Sequence, residues 1–156
     1  MQPYRDIAAL AGAQVLCFLV LAELEPHFVI IHLYESILYL AILTMLYYRQ
    51  DRWAYMITML ASIAWLGLAS VSLILRSAMQ RLLAFRTSDT NEIFISLIAV
   101  ATALLALLLI ALCARHWRKE YAGRGKTSST LLISSGIVAL YYGILLRWFW
   151  DIIPNA

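Results

Sequence analysis

His32, Glu35 and Tyr39 lie three and four residues apart, inside an apolar run from His27 to Tyr48. At helical spacing all three project from one face, with Ser36 beside them. A carboxyl, an imidazole and a phenol on one face can pass a proton, hold a cation or orient a base. Depth is what makes the set informative. Crossing about 30 Å of hydrocarbon takes about 20 helical residues at ~1.5 Å each, and the run supplies them. Glu35 therefore falls below the headgroups, where a charged side chain costs about 2.5–3.5 kcal/mol on insertion scales. Such a residue faces a helix bundle or a wet cavity and needs a partner from the protein.

Arg147 is the expected partner. With the N-terminus inside, the second span descends from the outer surface and the fifth climbs toward it. Glu35 then lies about eight residues below that surface and Arg147 about three, at ~1.5 Å per residue. An arginine side chain covers the difference, so Arg147 is predicted to pair with Glu35 directly or through His32 or Tyr39. The competing expectation is that Arg147 snorkels outward and meets Asp151, four residues on.

The elements that hold these residues must be membrane helices. Of 156 residues, 63% are hydrophobic and 13% charged, whereas charged residues alone make up about 25% of a soluble domain. Mean hydropathy is +0.81. The fold class read from this is all-α: a polytopic integral membrane protein with one transmembrane helical domain over residues 1–156. The longest polar stretch, Arg115 to Thr130, is too short for a soluble domain. Five spans are predicted, at about 7–24, 27–48, 53–75, 93–114 and 131–150.

The first run, Ile7 to Ala22, has the character of a signal-peptide core, yet with Leu24 it is long enough to span a thin bilayer and is expected to be retained. Gln14-Val15-Leu16 before Cys17 also fits a lipoprotein box poorly. Pro26 separates the first two spans and can open the second. Trp53 and Tyr55 sit at the start of the third, as interfacial aromatics do. Arg76 to Arg86 returns charge at helical spacing with Met79, Leu82, Leu83 and Phe85 on an apolar side. This reads either as an interfacial helix over 76–86 or as a bent continuation of the third span. Thr90 or Asn91 can cap the fourth span, with Glu92 in its first turn.

The net charge of +3 does not indicate a nucleic-acid partner, because the basic residues gather at span ends. Arg5, Arg49, Arg52, Arg115, Arg118, Lys119, Arg124 and Lys126 fall on one side, and Arg76, Arg81 and Arg86 on the other. The positive-inside bias then puts the N-terminus in the cytoplasm and the C-terminus outside, in a bacterial inner membrane. Membrane lipid is the expected bound partner, held in part by the basic loop around Gly123 to Lys126. That loop lacks a third glycine at position 120 and a preceding strand, so it is not a phosphate-binding loop.

Small residues provide a second kind of signal. Ser135, Ala139 and Gly143 recur at four-residue intervals ahead of Arg147, and Ala8 and Gly12 repeat the spacing in the first span. Rows of this kind let helix backbones approach closely, within the bundle or toward another chain. Other constellations are thinner. Glu23, Glu25 and His27 alternate in the first connection and are weak candidates for a divalent cation, since one short turn rarely completes a site. No cofactor is predicted. A bis-histidine haem is opposed by geometry, because His27 and His32 lie at one side and His116 some ~20–30 Å away. Cys17 and Cys113 have no paired spacing.

Three functions are compatible with these residues. The leading expectation is a non-enzymatic accessory or stabilising subunit that joins other membrane chains, in a hetero-complex or homo-oligomer, through small-residue faces. The second is a small oligomeric channel or proton- or cation-coupled transporter using Glu35. The third is an intramembrane enzyme with His32 and Glu35 as base and orienting group.

Overall fold

A computed structural model describes residues 3–48, 51–72, 74–84, 90–121 and 127–149, all helical or in short turns. Helix α1 covers Pro3–Leu24, and a single 3-10 turn, Pro26–Phe28, leads into α2, Val29–Tyr47. Then follow α3, Asp51–Val71; α4, Ile74–Ala84; α5, Thr90–Tyr121; and α6, Thr127–Phe149. Five of these are long and apolar enough to cross a membrane: α1, α2 with its leading turn, α3, α5 and α6.

Helix boundaries differ from the predicted spans for local reasons. Helix α3 ends at Val71 rather than Leu75, and Ile74–Ala84 is a separate element, with residue 73 between them outside the described residues. Hydroxyls of Ser70 and Ser72 donate to the Leu66 and Leu68 carbonyls at 2.7 and 2.8 Å, a side-chain capture of main-chain acceptors that loosens a helix end. Residues 85–86 of the expected 76–86 element lie outside the described residues. Helix α5 runs seven residues beyond Ala114, to Tyr121. Arg118 and Lys119 in its last turn complement the helix dipole, and no Pro or Gly interrupts it. Its 32 residues reach ~48 Å, well past the hydrocarbon.

Packing follows alternate steps of three and four. On α1 the buried positions include Ile7, Ala11, Gln14, Phe18 and Leu21, with Val15 and Ala22 beside them; on α3 they include Tyr55, Thr58, Ser62, Trp65 and Ala69. This spacing keeps one stripe facing inward and suits helices crossing at shallow angles. Helix α1 packs on α2 and α5, while α3 packs on α2, α5 and α6, with α4 laid mainly on α5. The close-approach row inside the bundle is on α5, where Ser96, Ala99, Ala103 and Ala106 are all buried.

The row expected to do this on α6 is turned elsewhere. Ala139 and Gly143 are exposed and Ser135 half-buried, while Ser134, Val138, Tyr142 and Leu145 face the bundle. Ala8 and Gly12 are likewise half-buried at the margin of the α1 stripe. Tyr142 explains the rotation of α6. Its ring is buried and its hydroxyl donates to the Ala61 carbonyl of α3 at 3.3 Å, which fixes a face one step round from the small residues.

Candidate functional site

A half-open cavity of about 310 Å³ lies at one end of the bundle. Its walls are the C-terminal ends of α1 and α3, the start of α2 and α5, and one side of α4. Most of the lining is apolar, including Phe18, Phe28, Ile31, Leu68 and Ala99, but Glu25, His32, Glu35, Arg81 and three serines also reach it.

The three acid and imidazole groups form a line. His32 Nε2 is 3.0 Å from Glu25 Oε2, a hydrogen bond that closes the α1–α2 turn across seven residues. On its other side, His32 Nδ1 is 3.5 Å from Glu35 Oε2, an ion-pair contact longer than an ordinary hydrogen bond. The imidazole thus stands between two carboxyls. Glu35 is the deepest member at 8% exposure, and Trp65 lines the cavity beside it. The Glu25 side chain is the most open of the three, at 29% against 13% for His32 and 10% for Glu35.

Local sequence explains the arrangement. Pro26 at the start of the 3-10 turn stops α1 after Leu24 and lets the chain reverse within four residues. Glu25 continues the α1 stripe, four residues after Leu21, so the reversal delivers its carboxyl to the first turns of α2. On α2 the i,i+3 spacing places His32 and Glu35 on one face.

The cluster predicted from sequence is therefore only partly assembled. His32 and Glu35 meet. Tyr39 is fully buried, but its hydroxyl pairs with Ser62 Oγ at 3.3 Å, one turn below. Ser36 donates to the Leu33 carbonyl of its own helix at 2.7 Å. Arg147 is exposed on α6 and forms no ion pair with Glu35; the partner facing Glu35 is His32. Its other expected partner, Asp151, lies outside the described residues. The candidate metal turn is divided as well, since Glu23 and His27 are exposed while Glu25 is engaged by His32. Among the described residues no group of three or more His, Cys, Asp or Glu is arranged to hold a metal ion.

Comparison of the chain with protein-family models, curated proteins and solved structures found no match.

Several lining residues were not singled out by sequence reasoning. Trp65, Ser96 and Arg81 come from helices that no motif links to Glu35. Ser96 is 1% exposed, its Oγ has no hydrogen-bond partner among the described residues, and it lines the cavity. For Glu25 a signal did exist, namely its place at the end of the α1 stripe. Away from the cavity, the opposite end of the bundle is closed by Tyr55, His116, Trp117 and Tyr121. Ring centroids there are 5.9 Å apart for Tyr55 and His116 and 5.1 Å for Trp117 and Tyr121.

Proposed function

We propose that this chain is an integral membrane protein with five spans that binds a small solute in the α1–α5 cavity and couples that binding to a proton held by Glu25, His32 and Glu35. One observation carries the reading: an acid–imidazole–acid line set in an apolar cavity of about 310 Å³. A protein that acts only by helix contacts gains nothing from an ionisable group at the depth of Glu35, where a charge costs about 2.5–3.5 kcal/mol. A carrier does. A proton shared along the line offsets one of the two acid charges when the cavity is empty, and a solute can take its place.

The geometry gives less support to intramembrane catalysis. A general base needs a nitrogen turned toward a substrate proton, and both nitrogens of His32 face carboxyls at 3.0 and 3.5 Å. In the orientation set by the positive-inside bias, with the N-terminus cytoplasmic and the membrane a bacterial inner membrane, the cavity opens outward.

Purified protein in liposomes loaded with a pH-sensitive dye tests this reading. Because the line can load and unload its proton while the cavity is empty, imposed pH gradients are expected to collapse faster with the wild type than with empty vesicles, and Glu35→Gln is expected to abolish the difference. Equal rates for the wild type and Glu35→Gln would remove the proposal.

A second reading rests on a separate observation. The uncovered row of Ala139 and Gly143 on α6 fits association with another membrane chain or a second copy, in which the protein serves as a subunit of a larger complex. The two readings are compatible, since the cavity and this row lie on different faces.

A further inference from the structure

We infer that the solute is a small amphipathic organic cation, a quaternary or protonated amine carried on an aromatic or branched aliphatic body. This rests on the carrier reading above and names what the cavity would accept. The charge distribution argues the sign. Glu35 occupies the buried end, whereas Arg81 on the α4 wall is exposed. The deep end is acidic and the basic group sits at the rim. A cation that enters can meet the Glu35 carboxyl, and an anion would have to approach it.

The walls argue the body. Phe18 and Trp65 both line the cavity, with ring centroids 5.9 Å apart and edge-to-face planes at 69°. Two aromatic rings beside a carboxyl suit a cation of low hydration, through cation–π attraction and apolar contact together. A volume of about 310 Å³ lies at the lower end of the range for small-molecule sites, ~300–1,000 Å³. Ser96 adds the independent mark. Its buried, unpartnered hydroxyl at the α5 wall offers an acceptor to an N–H or to the methylene hydrogens beside a quaternary nitrogen.

The groups that face Glu35 define what the cation must displace. His32 faces it, with Glu25 beyond, and Trp65 lines the same cavity. Phe18 from α1 and Ser96 from α5 carry no charge. As the cation arrives, one proton leaves the Glu25–His32–Glu35 line for bulk water, so charge in the cavity is conserved.

The test uses the full chain in detergent and three probes of similar size: benzyltrimethylammonium, its uncharged carbon isostere neopentylbenzene, and phenylacetate. Titration calorimetry in a weakly buffered solution reads affinity and proton release together. The cation is expected to bind about tenfold or more tightly than the isostere, with release of about one proton. Glu35→Gln is expected to erase the preference and the release, and Ser96→Ala to weaken cation binding while the protein stays monodisperse. The wild-type comparison stands by itself should Glu35→Gln fail to fold. Preference for phenylacetate, or equal binding of cation and isostere, overturns the inference. Failure of all three probes to bind, with Glu35-dependent proton flux retained in liposomes, overturns the solute class and leaves the carrier reading in place. Cation binding in a protein that shows no such flux supports the solute class and removes the carrier.

Discussion

Tyr34 on α2 and Tyr141 on α6 form a reciprocal clasp. Their rings stack with centroids 4.3 Å apart, Tyr34 donates to the Tyr141 carbonyl at 3.1 Å, and the Tyr141 hydroxyl donates to the Tyr34 carbonyl. This contact joins two helices 107 residues apart, and it lies one residue from Glu35. It helps set the rotation of both.

Loss of either hydroxyl should therefore weaken the bundle without dissolving it. Tyr34→Phe and Tyr141→Phe are each expected to cost about 0.5–1.5 kcal/mol. Tyr141→Ala, which also removes the stacked ring, is expected to cost clearly more. Denaturation in mixed micelles measures the series. An alanine variant as stable as the phenylalanine one would show that the stacking contributes nothing.

Glu25 and Glu35 should be separable in transport. Glu25 is the more open of the two acids, so water can stand in for part of what it does. Glu25→Gln is expected to slow vesicle proton flux but leave a measurable rate, where Glu35→Gln leaves none. The reverse order of severity would mean that the shallow acid, not the deep one, gates the path.

Gln14 is buried at 0% exposure on the α1 stripe, and neither its Nε2 nor its Oε1 has a protein partner among the described residues. A buried amide left in this state costs about 1–3 kcal/mol. Gln14→Leu is expected to raise the unfolding free energy by about 1–3 kcal/mol, seen as a higher midpoint of unfolding. A lower midpoint would point to a polar neighbour that the amide satisfies.

On α6, a Cβ added at Gly143 meets nothing within 4 Å, and the position is exposed. Gly143→Leu should keep the monomer folded, and should even gain up to about 1 kcal/mol from helix propensity. If the uncovered row is a contact face, the same change together with Ala139→Leu should lower the mass of the detergent-solubilised assembly seen by light scattering. An unchanged assembly would remove the subunit reading.

Which parts of this were legible in advance follows from what a linear pattern can carry. Hydropathy adds up along the chain, so the five long apolar helices and the Pro26 reversal could be read directly. The i,i+3 spacing of His32 and Glu35 could be read for the same reason, because both residues belong to one helix. Arg147 marks where that logic stops. Its depth was calculable from helix rise, but depth says nothing of rotation, and α6 is turned so that Tyr142 and Val138 face inward while Arg147 faces out.

The amino-acid order by itself determined the five apolar helices, most of their ends to within a few residues though not the C-terminal extension of α5, and the one acid that must be sheltered. Only the tertiary structure decided who shelters it. Glu25, Trp65 and Ser96 line one cavity with Glu35, from the first connection, α3 and α5, and their meeting depends on how neighbouring helices interlock. That is settled by side-chain volume on both partners at once, which no single segment encodes.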